Sequence, residues 1–593
     1  MRIGEYNRQD VIANVDIPLS DTIKTKITAA QLTRDGYVDS INVAESYGEQ
    51  DDQLIRAALQ WTPTDNFEAL FTLQSSRRDA NLQANVLFDA VDDAGFGRNL
   101  PGTYQQIGLP FTDENYAFGM REEYKSGAIY QGPGEILDSD QLIMDLSWDI
   151  TDSLTLRSIT NKRELLRGSM TDTDGTEWAA FDWWYADEQE DQSQEFQLLG
   201  THDRFNWVVG YFSNEEDRTS MVRFWQGVEL EGFCGGNPVA LPPFLCPNLN
   251  NQLEQEIRED TAFFAEVTID LTDKLSLTVG ARTSEEDYRT INYLPDEVIT
   301  ADATQTPSFN FNGTPRATPE GPADYSASFD ATTPRVALQY QFTDDIMGYV
   351  SYSEGFNGGG VNNRFEPQLP NNGVIPFESE VLENYEIGVR SDLANGRLRL
   401  NATYFQGDWS DIQIGQVLVI STTTTTNAGK AEIEGLEIEG AFYASDNFAI
   451  NFGLGMLDTV YTDVGNANPA ILQPGLNFPF APENTYNIGL QWNGSTDNGG
   501  GLMGRLDYGW IDDHETFLDA RFRASVAGKA YGLLSGRLQY TTPDQDWSVA
   551  LYGTNLTEEY YRMGGFNAIL AGTDQGFVGR PREVGVQFQL NFD

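Results

Sequence analysis

The amino-acid sequence predicts an all-β protein, namely a transmembrane antiparallel β-barrel of the 22-stranded type with a truncated first strand. Three observations support this fold class. Apolar and polar residues alternate along many segments, short polar turns alternate with long irregular stretches, and no run of 18 apolar residues occurs. Without an apolar helix, a chain can cross lipid only as strands that close into a barrel, because every backbone polar group needs a partner there.

The individual strands are predicted from alternation with a period of two residues. Val584, Val586 and Phe588 alternate with small or polar residues near the C-terminus, and Leu506 and Tyr508 alternate with charged ones. Such segments have one apolar and one polar face, and about 10 tilted residues cross the hydrocarbon layer. Charged residues on the polar faces are expected to line a hydrated lumen. These include Arg397, Arg399, Asp507 and Arg537.

The connections distinguish a barrel from a half-buried soluble sheet. Long irregular stretches are predicted at approximately 75–140, 213–260, 284–333 and 353–380. Outer-membrane barrels combine long extracellular loops with short periplasmic turns, which soluble sandwiches do not. The short turns, rich in Asp, Asn, Ser, Thr, Gly and Pro, lie at 19–22, 62–66, 150–153, 200–203, 271–274, 342–345, 393–396, 444–447, 494–498 and 542–545.

The ten turns separate eleven pairs of strands, which gives 22 strands for a chain that begins and ends on the periplasmic side. The segment from Val11 to Ile17 already descends into the first turn, so only Met1 to about Tyr6 is left for the first strand. The sequence therefore predicts 21 complete strands and a stub, with the natural N-terminus outside the sequence given. The last strand is predicted to end at Phe592.

One strand shows a change of phase. Ala431 and Ile433 alternate in one register, and Leu436 and Ile438 take over in the other. A β-bulge inserts one extra residue and produces such a shift. The sequence therefore predicts a bulge across Gly435.

The composition excludes several function classes. The formal net charge is −53, so the chain would repel nucleic acid. Only two histidines, His202 and His514, and two cysteines are present, so no catalytic site, metal site or cofactor is predicted. Cys234 and Cys246 bound a short Gly- and Pro-rich segment and are predicted to form a local disulfide, with two free thiols as the alternative.

Several motifs resemble those of TonB-dependent outer-membrane receptors, specifically their barrel domain. They span about two-fifths of the chain, whereas the strand layout covers all of residues 1–593. The motifs are YVSYSEGF at 349–356, FESE at 377–380 followed by NYEIG at 384–388, NAGKAEIEGLE at 427–437, GTNLTEEYY at 553–561 and GRPREVG at 579–585.

The resemblance implies a barrel in the outer membrane of a Gram-negative bacterium, with an N-terminal plug domain in its lumen. It also implies capture of a small-molecule ligand and uptake energised by the TonB–ExbB–ExbD complex. The plug, the TonB box and the signal peptide are expected to lie outside the sequence given. Family barrels end on an aromatic residue that the barrel-assembly machinery recognises, and here Phe592 is followed by Asp593.

An aromatic segment is the strongest candidate for ligand contact. Residues 178–185 are expected to lie in a loop at the extracellular mouth, where aromatic faces bind amphipathic solutes. An aromatic girdle at the membrane interface and packing within the loop are the alternatives. The predicted contact residues are Trp178, Phe181, Trp183, Trp184 and Tyr185.

The sequence thus predicts an uptake receptor, with a ferric-siderophore-like chelate as the leading ligand class and cobalamin, haem or glycans as others. A passive outer-membrane pore or a non-functional barrel fragment is the alternative. The source of the acidity stays open between exposed loops in a saline habitat and attraction of cationic or metal-bearing ligands.

Overall fold

A computed structural model describes most of the chain. It covers residues 1–40, 44–81, 86–90, 125–126, 134–172, 181–226, 250–295, 313–315, 317–318, 321–322, 324–363, 374–419, 422–465, 467–520, 523–568 and 573–592. One four-residue helix, α1, spans Arg523–Val526. Within these residues no helix has the length and hydrophobicity needed to cross a membrane.

Twenty-two strands form a closed antiparallel barrel. Each strand pairs with its neighbours in the chain, and the last pairs with the first, so the predicted fold class is confirmed. The strands are β1 Arg2–Gly4, β2 Arg8–Pro18, β3 Ile23–Arg34, β4 Gln50–Thr64, β5 Phe67–Ala80, β6 Glu135–Thr151, β7 Leu154–Asp172, β8 Phe181–His202, β9 Phe205–Gln226, β10 Asn250–Asp270, β11 Leu275–Pro295, β12 Asp324–Thr343, β13 Ile346–Asn357, β14 Glu380–Leu393, β15 Leu398–Ser410, β16 Lys430–Ser445, β17 Phe448–Asp463, β18 Asn484–Ser495, β19 Gly501–Ile511, β20 Tyr531–Thr541, β21 Trp547–Thr554 and β22 Glu583–Leu590.

The first strand is the predicted stub. Its three residues pair with β2 on one side and with β22 on the other. Tyr6 and Asn7 have φ angles of 55° and 52°, which form the tight turn that returns the chain into β2. The Met1 ammonium group donates a hydrogen bond of 2.8 Å to the carbonyl oxygen of Phe588. The pairings of Arg2–Gly4 therefore join β2 to β22. The last strand ends at Leu590, two residues before the predicted Phe592.

All ten predicted short turns connect consecutive strands of the barrel. Their sequences explain their geometry. In the first turn, the Ser20 hydroxyl oxygen accepts a hydrogen bond of 3.1 Å from the backbone amide of Ile23. In the turn between β14 and β15, Ala394, Asn395 and Gly396 have φ angles of 54°, 58° and 79°. Asn and Gly tolerate this left-handed conformation best.

The strands on one side of the barrel are longer than the sequence predicted. β8 and β9 each have 22 residues, and β10 and β11 each have 21. The prediction of irregular structure at 213–260 and 284–333 is therefore wrong at both ends of each stretch, where the residues belong to paired strands. Pairing continues beyond the hydrocarbon layer because it satisfies backbone groups there as well, and polar side chains on both faces suit water. Residues 181–185, predicted as a loop, likewise begin β8.

The two faces of the strands separate lipid from lumen. Val350 and Ile387 face outward and keep 46% and 56% of their surface exposed, as hydrocarbon-facing residues should. On the inner face, Arg505 pairs with Asp507 at 2.7 Å and Arg399 pairs with Asp392 at 2.9 Å. Arg537 donates to Gln539 and Gln587. The predicted lumenal charges are thus confirmed, except that Arg397 lies in a periplasmic turn.

The predicted bulge at Gly435 is wrong. The register of β16 is continuous across Gly435 against both neighbouring strands, and it shifts only near the ends of β16, against β17. Ala431 and Ile433 face inward, whereas Leu436 and Ile438 face lipid. Ala431 is buried in a hydrophobic cluster of extracellular segments. Within the membrane the apolar residues of β16 face lipid on the outside, and above it they face the hydrophobic cluster on the inside. The phase of the alternation therefore changes where the strand leaves the membrane.

Gly435 has a different role, which gives a testable prediction. A β-carbon at this position would lie 2.2 Å from Cζ of Phe405 on β15. Replacing Gly435 by leucine is expected to lower the free energy of unfolding by about 1–3 kcal/mol, because the Phe405 ring must move. A urea titration measures the change. The double variant with Phe405→Ala should recover part of the loss, and equal losses in both variants would contradict this packing.

Extracellular segments pack together above the strands. The hairpins Gly360–Asn363 with Val374–Phe377 and Gln413–Val419 with Thr422–Asn427 are joined where Asn362 donates to the Thr425 carbonyl oxygen at 2.6 Å. Strands Val86–Ala90, Arg562–Ala568 and Thr573–Val578 form a separate small sheet. One buried hydrophobic cluster contains Tyr37, Val38, Tyr47, Val86, Met170, Trp184 and Val578, and another contains Ile412, Ile414, Ala428, Ala431, Tyr461, Ala467 and Leu472.

Candidate functional site

The long strands β7–β11 carry a polar wall on the lumenal side above the membrane. Glu254 lies sixteen residues from Asp270 at the periplasmic end of β10, farther than the 9–11 residues of a membrane-spanning strand. Phe196, Val209 and Phe263 are exposed to lipid on these strands. Because successive side chains alternate between the two faces, the residues at the other positions form the inner face. The cross-strand register aligns one inner row as Arg167, Asp187, Ser220, Glu254 and Asn292. The adjacent row contains Gln189, Arg218, Glu256 and Thr290.

The first half of this wall centres on Asp187. Its carboxylate accepts hydrogen bonds from Nη2 of Arg167 and from the Tyr185 hydroxyl, each at 2.5 Å, and from the Ser220 hydroxyl at 2.7 Å. The Arg167 guanidinium also lies 5.0 Å from the centre of the Tyr185 ring. Burial and the adjacent Asp187 carboxylate raise the pKa of Tyr185, so its hydroxyl stays a donor.

The second half centres on Glu256. Its carboxylate accepts from Nη2 of Arg218 and, at 3.0 Å, from the Tyr288 hydroxyl. The neighbouring Glu254 carboxylate accepts from the Thr290 hydroxyl at 3.2 Å. Burial lowers the pKa of Arg218, but the nearby Glu256 carboxylate raises it, and the net pKa is above its usual value. Arg218 therefore stays charged. We call the set Arg167, Tyr185, Asp187, Arg218, Glu254, Glu256 and Tyr288 the lumenal network.

Glu254 makes the stability of this region depend on pH. Burial, and then the charge of Glu256, raise the pKa of Glu254 from 4.5 to about 7. Between pH 4.5 and about 7, Glu254 therefore keeps its proton in the folded state, whereas it has already lost that proton in the unfolded state. We expect the free energy of unfolding to fall as the pH rises from about 4.5 to about 7, and to level off above that.

Urea titrations of the parent and of Glu254→Gln between pH 4.5 and 8 measure this effect. The variant should lose part of the slope, because burial also raises the pKa values of Glu216 and Glu286. Glu285→Gln, on the outer face of β11, is the matched control and should keep the slope. An unchanged slope in Glu254→Gln would contradict the assignment.

The predicted aromatic contact residues do not share one surface. Trp184 and Tyr185 are neighbours in β8 and therefore project to opposite faces. Trp184 is 3% exposed within the first hydrophobic cluster, where it packs against residues from other segments of the chain and not within its own segment. Tyr185 joins the lumenal network. Trp178 lies outside the described residues, as do the side chains of Phe181 and Trp183, so ligand contact stays a prediction for those three.

Two further predictions concern the cysteine pair and the aromatic residue near the C-terminus. Cys234 and Cys246 lie outside the described residues, so their disulfide stays a prediction. Phe592 is described and 86% exposed, as a recognition signal would need to be. Its recognition by the assembly machinery also stays a prediction.

Sequence reasoning missed most of the lumenal network. Its members occupy alternate positions of the long strands, such as Tyr185 with Asp187 and Glu254 with Glu256. Charged residues repeated every second position within a strand would have indicated a polar inner face. The predicted irregular stretches hid this signal, because no strand was assigned above the membrane.

Comparison with known proteins identifies the family. A family model described as TonB dependent receptor-like, beta-barrel, matches residues 27–556. The chain belongs to this TonB-dependent receptor family. Members are outer-membrane proteins of Gram-negative bacteria, and this chain is an outer-membrane barrel.

Individual relatives of this TonB-dependent receptor barrel are distant. The pesticin receptor of Yersinia pestis is 25% identical over 339 residues, which cover 56% of this chain and 44% of the relative. The ferric-pyoverdine 358 receptor of Pseudomonas putida is 20% identical over 100% of this chain and 65% of its own length. The chain thus spans less than half of the pesticin receptor.

The fold is shared with solved structures. The ferric yersiniabactin uptake receptor from Yersinia pestis superposes with a TM-score of 0.76 at 17% identity. The match covers 100% of this chain and 79% of that receptor. At this identity the likeness supports the barrel architecture alone.

Proposed function

We propose that this chain is the barrel of an outer-membrane receptor that takes up a scarce ligand, a ferric-siderophore-like chelate. The TonB–ExbB–ExbD complex supplies the energy through a plug domain in the lumen. The observation that carries the proposal is the family match over residues 27–556, together with relatives named for ferric yersiniabactin and ferric-pyoverdine. The barrel-assembly machinery and outer-membrane lipid are further proposed partners.

The lumenal network supports this function by its position and chemistry. It lies above the hydrocarbon layer on the inner face, where a ligand entering from outside would pass. Arg167 and Arg218 offer donors to the oxygen atoms of a chelate, and their paired carboxylates hold them in place. The Tyr185 hydroxyl donates to Asp187 and so helps to fix the Asp187 carboxylate beside Arg167. Phe181 and Trp183, at the start of β8, are proposed to add aromatic contact.

Uptake of radioactive iron tests the proposal. Cells grown under iron limitation are given a panel of ferric chelates, with and without the full gene. We expect uptake of at least one chelate to require both this gene and TonB. Uptake that needs the gene but not TonB would support the passive pore instead, and uptake that ignores the gene would contradict both.

A pair of variants tests the part played by the lumenal network. Arg218→Ala removes a guanidinium from the inner face and is expected to weaken chelate binding. Arg289→Ala is the matched control, because Arg289 projects outward from β11 and pairs with Asp324 at 2.8 Å. Binding of the ferric chelate to purified receptor is the measurement. Equally weakened chelate binding in both variants would show that the lumenal network makes no specific contribution to binding.

A further inference from the structure

A groove runs along the lipid-facing side of β12–β16. It has a volume of about 500 Å³ and an almost wholly apolar lining. Ala402 and Gly348 belong to its floor, and both face outward; the Phe342 ring lies over Gly348, with Cε2 2.9 Å from where a β-carbon would stand. Its walls are formed by Leu338, Tyr340, Phe342, Val350, Ile387, Val389, Tyr404 and Leu436.

The groove begins at the periplasmic rim of the membrane. Tyr340 and Phe342 stand at the end of β12 with ring centres 4.9 Å apart, where outer-membrane barrels carry interfacial aromatics. From this rim the lining extends toward Tyr404 and Leu436 near the middle of the hydrocarbon layer. The groove is therefore continuous with the surface that contacts lipid tails and has the direction of an acyl chain.

Charges of both signs lie at the rim end of the groove. Lys274, one of only seven lysines in the chain, donates from Nζ to the carbonyl oxygen of Phe342 at 3.4 Å. The next turn carries Asp344 and Asp345, and Gln341 connects the two turns. Its backbone amide donates to the Lys274 carbonyl oxygen at 2.8 Å, and its side chain donates to the Thr343 carbonyl oxygen at 2.6 Å. A cation and carboxylates thus lie on neighbouring turns at the rim, where a lipid headgroup would lie.

We propose that this groove holds one phospholipid with a zwitterionic phosphoethanolamine headgroup. One acyl chain fills the groove between Leu338 and Leu436. The phosphate lies at the Lys274 ammonium, and the lipid ammonium faces the carboxylates of the adjoining turn. An anionic headgroup would satisfy Lys274 but would meet those carboxylates with like charge.

A second apolar groove provides an internal control. It has a volume of about 440 Å³ and lies over β17–β22, lined by Phe448, Leu490, Trp492, Gly504, Leu506, Leu538 and Leu551. The turn below Phe448 contains Asp446 and Asn447 and no lysine or arginine. The two grooves thus differ in rim charge more than in size, so only the first should retain a phospholipid.

The test uses protein from outer membranes, exchanged into nanodiscs with equal amounts of phosphatidylethanolamine and phosphatidylglycerol. Native mass spectrometry then counts the lipids that stay bound on release. We expect one phosphatidylethanolamine on the parent protein and none on Ala402→Trp, which fills the groove. Lys274→Gln should reduce retention about fivefold, as expected for one basic residue at a lipid surface.

Gly504→Leu is the matched control in the second groove, where the nearest atom to an added β-carbon is Cε3 of Trp492 at 4.0 Å. It should leave retention unchanged. The proposal is overturned if the parent retains no phospholipid, if phosphatidylglycerol is preferred, or if Gly504→Leu and Ala402→Trp reduce retention equally. Lys274→Gln lies on an exposed turn, so its result does not depend on a variant that fails to fold.

Discussion

Replacing Glu583 by alanine is expected to lower the free energy of unfolding by about 3 kcal/mol. Glu583 and Arg8 join the last strand to the second across the short β1, and their side chains are only 8% and 6% exposed. Nη2 of Arg8 donates to Glu583 at 3.0 Å. Without Glu583, the buried guanidinium keeps only Asp10 at 3.3 Å and Gln50 at 3.2 Å.

Urea titration of the barrel in phospholipid vesicles measures this loss. Arg399→Ala is the control, because Arg399 and its partner Asp392 are 66% and 53% exposed and the pair should contribute at most about 1 kcal/mol. The triple variant Arg8→Met with Asp10→Leu and Glu583→Leu should be more stable than Glu583→Ala, since it removes all three buried charges together. A Glu583→Ala barrel as stable as Arg399→Ala would mean that this ion pair does not stabilise the closure.

Replacing Leu338 by arginine is expected to destabilise the barrel by about 2–4 kcal/mol and to reduce its assembly in the outer membrane. Leu338 is 38% exposed on the lipid-facing side of β12, five residues above Thr343 at its periplasmic end. An arginine there must place its charge near the middle of the hydrocarbon layer. Lumenal positions carry no such cost.

Gln339→Arg is the matched control, one residue further along the same strand and on the inner face. Stability in vesicles and the amount of heat-modifiable protein in outer membranes are the two measurements. We expect Gln339→Arg to resemble the parent in both. If Gln339→Arg is the more damaging change, the assignment of the two faces is reversed.

The barrel itself could be predicted because its signals are local. Turn residues such as Ser20 and Asn395 fix their turns through their own hydrogen bonds and backbone conformations. Alternation fixes which face of a strand meets lipid, since hydrocarbon accepts only one kind of side chain. Even the stub at Arg2–Gly4 followed from these two signals and a count of turns.

The extracellular half could not be predicted in the same way. There both faces of a strand meet water or other segments, so alternation no longer marks a face. Ala431 is buried because Ile412, which follows β15, and Tyr461 on β17 cover it, a contact between separate parts of the chain. Trp184 and Tyr185 likewise take different environments because of their neighbours in space. The lumenal network therefore could not be predicted from the sequence.

The pairing of β1 with β22 sets the order in which the barrel must form. Within the barrel, every other strand pairing joins neighbours in the chain, whereas Ile3 pairs with Val586 across almost the whole sequence. Local hairpins form fast, and contacts distant in sequence form slowly because the intervening chain must first be ordered. We therefore expect closure to be the last event of barrel folding. Until it occurs, an open sheet with two free edges has to be shielded from other chains.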